Sequence, residues 1–326
     1  MLTFISTLAD KVLGGGVLSP KEALRFVAAG PQDLDVLLFS ASRIRRRYRG
    51  DTVNLCAITN ARSGLCPENC SFCSQSRHHN ARVAVYPLVP EKELVERADR
   101  AVAARAHRFC IVTSGRSVGG DELGVICRAI AAIRQRHPGL KVDASLGILS
   151  LSQLKRLKAA GLSRYNHNLE TSESHFGRIC TSHNYSDRLN TVRAVRQSGL
   201  EVCCGGIIGL GEDEAQRIDL AFALKDLDVH TVPLNFLNPI PGTPTESFPA
   251  LSPFSLLKAI VLFRFILPDK EIRICGGRQT GLRRLQPLIF SAGADAVIIG
   301  DYLTTPGSPP QEDIRMIEDL DLKIAG

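Results

Sequence analysis

The stretch that decides the fold is TVNLCAITNARSGLCPENCSFCSQ, residues 52–75, in which a strand-like run passes into a cysteine-rich loop. Its first part, Val53–Thr59, is rich in β-branched and apolar residues, so we expect a buried strand. Its second part spaces three cysteines as Cys66-x3-Cys70-x2-Cys73. Three thiolates on one loop can hold three irons of a cubane cluster and leave the fourth iron without a protein ligand. An open position of this kind distinguishes a catalytic metal site from a closed structural one.

Two other uses of these cysteines stay open. His78 or His79, just after the loop, could complete a Cys3His zinc site. A disulfide framework is typical of small secreted domains, whereas this chain has 326 residues.

Its start, MLTFI, has no basic segment followed by an apolar run, so we expect no secretion signal. Because the many cysteines would then stay reduced, we expect a cytoplasmic protein.

The composition is that of a globular protein with a sizeable core, at 44% hydrophobic and 22% charged residues. No apolar stretch is long enough to span a bilayer, so we expect no membrane partner. The formal charge of +7 is modestly basic, and its densest run is RIRRRYR at residues 43–49. This run suits a solvated helix end or a patch for an anionic partner. Aromatic residues that could stack on bases are only 6%, so we expect no nucleic-acid binding.

Strand-like and helix-like runs alternate along most of the chain. The predicted strands are 53–59, 108–113, 141–146, 164–168, 201–208, 230–235, 271–275 and 296–299. The predicted helices between them include 91–106, 121–135, 152–160, 186–198, 213–227 and 255–265. Strand and helix repeat eight times, which predicts an α/β fold and specifically a (β/α)8 TIM-type barrel.

We expect this barrel to occupy residues 52–326, including a C-terminal helix. Residues 1–51 form an N-terminal helical extension, because the segment from Ser19 to Arg49 has apolar residues at helical intervals. Chemistry in such barrels lies on the loops at the carboxyl ends of the strands. The cysteine loop directly follows the first predicted strand, so motif and fold agree.

The spacing of Cys66, Cys70 and Cys73 resembles the signature of the radical SAM superfamily. The resemblance implies a 4Fe-4S cluster whose open iron binds the amino and carboxylate groups of S-adenosylmethionine (SAM). An electron then cleaves SAM into methionine and a 5'-deoxyadenosyl radical. Further segments resemble the biotin synthase family, in order from about Val53 to Pro306. They are CPENC at 66–70, YNHNLETS at 165–172, VCCGGIIGLGE at 202–212 and LTTP at 303–306.

The resemblance implies that sulfur is inserted between the methyl and methylene carbons that flank the ring of dethiobiotin, forming biotin. These carbons carry no acidic hydrogen, so the cofactor has to supply a radical. The sulfur is expected to come from an auxiliary iron-sulfur cluster. The family also implies a flavodoxin-like or ferredoxin-like electron donor and a homodimer.

Four residues match positions that bind SAM in the family. Phe72 corresponds to an aromatic residue near the adenine, and Arg188 to the arginine that binds the SAM carboxylate, for which a fork of donors is suited. Gly205 and Gly206 would allow the backbone to approach SAM closely.

Five residues match positions that contact SAM ribose or substrate. Asn168 and Glu170 are one residue apart on a predicted strand, hence on the same side. The family commonly has Asp where this chain has Glu170, and both can accept bonds from ribose hydroxyls. Asn235, Thr304 and Thr305 match groups that bind the ureido ring and carboxylate of the substrate.

The auxiliary cluster is where the chain departs from the family. The best-known members hold a 2Fe-2S cluster with three cysteines and an arginine. Cys110, Cys203 and Arg273 match three of these positions and are our candidates for a catalytic role, but Asp143 stands where the third cysteine is expected. Two cysteines, Cys56 and Cys275, appear instead where serine is usual.

Because alternate residues of a strand share a face, Cys275 must project to the side of Arg273, and Cys204 away from Cys203. We therefore hypothesise that Cys56, Cys110, Cys203 and Cys275 hold a 4Fe-type auxiliary cluster, since four thiolates are its ordinary complement.

Two alternatives to this four-thiolate set stay open. One is a 2Fe-2S cluster completed by Asp143 or Arg273, and in the other Cys56 and Cys275 only fill the core. Cys127 and Cys180 are expected to be structural. Two other functions are also possible: a related enzyme such as a hydrogenase maturase or methylornithine synthase, or a non-catalytic iron- or zinc-binding protein.

Overall fold

The structure, a computed structural model, describes residues 1–325. At its centre, parallel strands form a closed ring. These strands are β1 (Thr52–Arg62), β2 (Arg108–Thr113), β3 (Lys141–Ser145), β4 (Arg164–Asn166), β5 (Glu201–Cys203), β6 (Gly206–Ile208), β7 (Thr231–Phe236), β8 (Glu271–Ile274) and β9 (Ala296–Ile298). They follow one another around the ring in chain order, and pairing of β1 with β9 closes it. The predicted (β/α)8 barrel is confirmed.

The fifth position of the ring holds two short strands instead of the single strand predicted at 201–208. β5 pairs with β4 and β7, and β6 continues upward along β7. The break falls at Cys204 and Gly205. A further strand, β10 (Lys323–Ile324), extends the sheet by pairing with the start of β1.

Helices surround the barrel. Those that follow the strands are α4 (Glu91–Ala103), α5 (Gly120–Arg136), α6 (Leu151–Ala159), α7 (Glu173–Ile179), α8 (Tyr185–Gln197), α9 (Glu214–Asp226), α10 (Pro253–Ile266), α11 (Arg278–Leu282), α12 (Leu288–Ser291) and α13 (Pro310–Glu318). Several begin with a capping box, in which the first side chains bond the free backbone N–H groups; Ser150 with Gln153 starts α6 in this way. No helix within residues 1–325 is long and apolar enough to cross a membrane.

Three helices precede the barrel: α1 (Leu2–Leu13), α2 (Pro20–Phe26) and α3 (Leu34–Arg49). The helical pattern predicted from Ser19 to Arg49 is thus divided by a 3-10 turn at Pro31–Asp33. The helix α1 lies within the predicted extension of residues 1–51 but before that pattern. The extension shares the barrel's core, because the rings of Phe26 and Phe265 lie 5.0 Å apart. Lys258 Nζ of α10 also donates to the Val27 carbonyl at 2.8 Å.

Buried ion pairs form a polar floor at the amino ends of the strands. Arg108 donates to Asp143 with two bonds of 2.7 Å and to Glu201 at 3.1 Å. Arg164 bridges Glu201 at 2.9 Å and Glu271 at 3.1 Å. Arg273 donates to Glu271 at 2.6 Å. Three buried guanidinium groups are therefore paired with the buried carboxylates of Asp143 and Glu271 and the half-buried carboxylate of Glu201, as buried charges require.

Candidate active site

The cysteine loop is tied to the end of β1 by one glutamine. Gln75 Oε1 accepts from Asn60 Nδ2 at 3.2 Å, Ser63 Oγ at 3.1 Å and the Gly64 N–H at 3.2 Å. The Cys66 N–H also donates to the Gln75 carbonyl at 2.9 Å. These bonds fold the loop back over the carboxyl end of the barrel, where chemistry is expected.

The three loop thiols line one cavity of about 230 Å³. Cys70 is buried, and Cys66 and Cys73 are half-buried. Burial raises the pKa of Cys73 to about 11, so a cation is needed to hold it as a thiolate. This converging donor set fits the three-thiolate side of an iron-sulfur cubane.

The histidines of the zinc alternative do not face these thiols. His78 Nε2 lies 2.9 Å from the Pro67 carbonyl and His79 Nε2 lies 3.0 Å from the Cys70 carbonyl. Both rings thus brace the backbone of the loop, and in this arrangement neither supplies a fourth ligand.

The same cavity is lined by Phe72, Asn168, Glu170 and Arg188. Arg188 donates from Nη1 to the Asn168 carbonyl at 2.8 Å and lies 3.5 Å from Glu170 Oε1. Burial raises the pKa of Glu170, with Arg188 opposing that shift. The strand predicted to place Asn168 and Glu170 on one side was wrong, because β4 ends at Asn166. Glu170 instead has a φ of 71°, a backbone conformation uncommon outside glycine and often found at functional sites.

Gly205 and Gly206 are glycines because of the neighbouring strands. A Cβ on Gly205 would lie 2.0 Å from the Pro233 carbonyl oxygen, and one on Gly206 would lie 2.4 Å from that of Glu170. Backbone packing in the wall of the barrel therefore requires glycine at both positions. Their predicted contact with SAM stays a prediction.

A second cavity, of about 210 Å³, adjoins the first. Asn235, Thr304 and Thr305, the predicted substrate residues, all line it. Phe72 and Leu303 line both cavities, so a ligand in one borders a ligand in the other. Thr304 Oγ1 lies 3.0 Å from Ser74 Oγ, which connects this wall to the cysteine loop.

Below both cavities lies a set of buried cysteines. Cys56, Cys110 and Cys275 pack together with Ile298 in one cluster. Burial raises the pKa of all three thiols. Ile298 also lines the second cavity, as do Ile58 and Tyr302, which pack against the same cluster, so the thiols lie next to that cavity.

Cys203 and Arg273 complete this lower level. Burial raises the pKa of Cys203 to about 12, and the positive charge of Arg273 opposes the rise. Arg273 Nε is buried without a hydrogen-bond partner among the described residues. A buried guanidinium with an unmet donor, near Cys56 and Cys203, fits an anionic thiolate-rich cluster.

Asn166 joins the two levels and was not predicted from the sequence. Its side chain lines the first cavity, and its Nδ2 donates to Cys110 Sγ at 3.1 Å. Its place in the motif at 165–172 was the one signal that could have identified it.

Three further residues beside the loop were also not predicted to have a site role: Glu68, Cys180 and His183. Cys180 Sγ lies 3.7 Å from Cys70 Sγ. His183 Nε2 accepts from Arg188 Nε at 3.0 Å, and its Nδ1 bonds Glu68. Glu68, between two of the motif cysteines, thereby connects the loop to Arg188.

Comparison with known proteins identifies the family. Residues 62–224 match the model of the radical SAM superfamily, and residues 233–323 match that of the Biotin and Thiamin Synthesis associated domain. A biotin synthase of Geobacter metallireducens is 47% identical over 323 residues, 99% of this chain and 98% of the relative. A biotin synthase of Trichlorobacter lovleyi is 49% identical over 324 residues, 99% of this chain and 97% of the relative.

Solved structures agree in fold. A methylornithine synthase aligns with a TM-score of 0.86 and 21% identity, covering 98% of this chain and 97% of that one. The FeFe-hydrogenase maturase of Carboxydothermus hydrogenoformans aligns with a TM-score of 0.83 and 21% identity, covering 98% and 79%. At this identity the likeness concerns the fold alone. The sequence relatives decide the family: the chain belongs to the biotin synthases of the radical SAM superfamily.

Proposed function

We propose that the chain is a radical SAM sulfurtransferase that inserts sulfur into dethiobiotin to form biotin, with the sulfur taken from an auxiliary iron-sulfur cluster. One observation carries this proposal. Two adjoining cavities, which share Phe72 and Leu303, lie between an upper set of three thiols and a lower set of buried thiols. A substrate in the second cavity would then border both levels.

When bound, a 4Fe-4S cluster with SAM supplies a 5'-deoxyadenosyl radical, and the auxiliary cluster supplies sulfur. Cys66, Cys70 and Cys73 would hold the first cluster. Arg188 would offer its guanidinium to the SAM carboxylate, and Glu170 would accept from the ribose hydroxyls. Phe72, which lines both cavities, would pack near the adenine.

Asn168, Asn235, Thr304 and Thr305 hold the substrate by its ureido ring and carboxylate. The second cavity offers few polar groups among apolar ones, which suits a ligand with one polar ring and an aliphatic chain. Enclosure in the barrel also keeps water away from a reactive carbon centre.

An anaerobic assay with SAM, dethiobiotin and a low-potential reductant tests this function. We expect biotin together with 5'-deoxyadenosine from the wild type and neither product from Cys66→Ala. Sustained 5'-deoxyadenosine formation without biotin, whatever the dethiobiotin concentration, would contradict the assigned substrate.

For the auxiliary cluster we propose a 4Fe-type centre held by Cys56, Cys110, Cys203 and Cys275, with Arg273 beside it. The packing of three of these thiols in one buried cluster supports the proposal. Asp143 of the 2Fe-2S alternative has both carboxylate oxygens bonded to Arg108 at 2.7 Å. A carboxylate already held in this way is a poor candidate for an iron ligand.

Iron and sulfide counts with Mössbauer spectra on the triple variant of Cys66, Cys70 and Cys73 to Ala test this assignment. The upper site is then removed, and we expect about four irons per chain to remain. About two irons would contradict the four-iron cluster and favour the 2Fe-2S alternative.

Further features of the enzyme are inferred from its family. We propose a flavodoxin-like or ferredoxin-like reductant, a homodimer, and a division into an extension of residues 1–51 and a barrel of residues 52–326. A cytoplasmic location is proposed because the ten cysteines are unpaired in the described chain, as in a reducing compartment.

A further inference from the structure

A second group of metal-ligating side chains lies beside the cysteine loop. Cys180 directly follows α7 and His183 lies just before α8. Cys180 Sγ is 3.7 Å from Cys70 Sγ and 3.3 Å from His183 Nδ1. The ligand atoms of Cys70, Cys180 and His183 all lie within 4.8 Å of one another, and all three residues are buried.

Hydrogen bonds from backbone N–H groups fix this arrangement. The Ser71 N–H donates to the Ile179 carbonyl at 2.8 Å. Asn69 Oδ1 accepts from the N–H groups of Thr181 at 3.0 Å and Ser182 at 3.1 Å. These bonds hold the segment that carries Cys180 and His183 against the loop that carries Cys70. Protein hydrogen bonds therefore position the two sulfurs and the imidazole.

The distances suit a single tetrahedral ion. Metal–sulfur bonds of about 2.3 Å in a tetrahedron place two sulfurs roughly 3.8 Å apart, and a sulfur and an imidazole nitrogen roughly 3.5 Å apart. The observed separations are 3.7 Å and 3.3 Å. Glu68 Oε2 bonds His183 Nδ1 and lies outside this set of three, so an ion on that nitrogen replaces the hydrogen bond and takes its fourth ligand from solvent.

We propose that Cys70, Cys180 and His183, with the two thiols and the imidazole Nδ1 giving up their protons to solvent, bind one thiophilic divalent cation such as Zn²⁺ or Fe²⁺ in the cluster-free chain. Thiolate and imidazole donors favour these ions over Mg²⁺ or Ca²⁺. Cys70 belongs to two ligand sets that exclude each other, the single-ion site and the cubane. Zn²⁺ in this site therefore blocks assembly of the cubane.

Anaerobic titration of the full-length, iron-free chain with Co²⁺ tests the site, because tetrahedral thiolate-bound Co²⁺ is strongly coloured. We expect one such ion per chain. Cys180→Ser and His183→Ala should each weaken Co²⁺ binding roughly tenfold or more. Loss of a residue that only supports a ligand already costs about that much, and these two residues are ligands themselves. Cys66→Ala, Cys73→Ala and the control Cys127→Ala should leave it unchanged.

The opposite pattern would overturn the proposal: colour lost in Cys66→Ala and Cys73→Ala but kept in Cys180→Ser. Absence of thiolate-bound Co²⁺ from the wild type would overturn it as well. Reconstitution after Zn²⁺ loading gives a second readout. We expect Zn²⁺ to slow cubane formation in the wild type and much less in Cys180→Ser, whereas equal slowing in both would contradict the site.

Discussion

Replacement of Glu271 by Gln should destabilise the barrel floor strongly. Glu271 has a side chain 6% exposed, and it accepts from Arg273 at 2.6 Å and Arg164 at 3.1 Å. Burial works against its ionisation, yet Arg273 and Arg164 lower the pKa of Glu271 well below its usual range. Breaking a buried ion pair costs about 3–5 kcal/mol because the partner charge stays buried. Gln keeps an acceptor oxygen, so we expect about 3 kcal/mol.

Urea unfolding followed by circular dichroism measures this loss, with Glu96→Gln as control. Glu96 is 51% exposed and lies 3.9 Å from Lys92, so its loss should change the unfolding free energy by less than about 0.5 kcal/mol. A Glu271→Gln variant within that same range would refute the reasoning.

The pH dependence of the same pair has a definite sign. Because the folded-state pKa of Glu271 is lowered, its contribution is complete above the unfolded-state pKa of about 4.3. It is lost as the pH falls below that value. The stability difference between wild type and Glu271→Gln should therefore shrink on acidification, and a difference that stays constant would contradict the assigned ionisation.

Three further substitutions test the site. Cys110→Ala should retain reductive SAM cleavage and lose biotin formation, while Cys127→Ala keeps both; equal loss of both activities in Cys110→Ala would make that cysteine merely structural. Arg188→Lys should raise the KM for SAM about 10-fold or more, because a charged hydrogen bond contributes about 1.5–3 kcal/mol. The control Arg193→Lys, at an exposed position of the same helix, should leave that KM unchanged. Asn235→Ala should raise the KM for dethiobiotin and leave the KM for SAM unchanged. An altered KM for SAM would contradict the assignment of Asn235 to the substrate cavity.

The barrel was predictable because its signal is local. Each buried strand is a short apolar run, and each helix has its own amphipathic period and often its own cap. Both patterns are properties of neighbouring residues, so the predicted strands agree with the observed ones to within a few residues. The first loop was equally accessible, since Cys66, Cys70 and Cys73 lie within eight consecutive positions.

What escaped prediction depends on contacts between distant residues. Cys180 lies 110 positions after Cys70, and only the folded loops bring the two sulfurs together. The split of β5 from β6 arises where the Pro233 carbonyl crowds Gly205, which a linear pattern does not contain.

The grouping of the lower cysteines was an intermediate case. The two-residue period of a strand placed Cys275 on the side of Arg273, and the structure packs Cys275 with Cys56 and Cys110. The ion pair between Arg108 and Asp143 could not be foreseen, because it joins side chains of two different strands. That pair matters for the auxiliary cluster, because it occupies the carboxylate of Asp143, one of the alternative iron ligands.

Isotopic labelling of the cluster sulfide tests the central claim most directly. The enzyme is reconstituted anaerobically with iron and heavy-isotope sulfide, freed of excess sulfide, and allowed one turnover with SAM and dethiobiotin. If the sulfur comes from the cluster held by the buried thiols, the biotin formed carries the heavy isotope, as mass spectrometry would detect. Biotin with sulfur of natural mass from fully labelled enzyme would contradict the account.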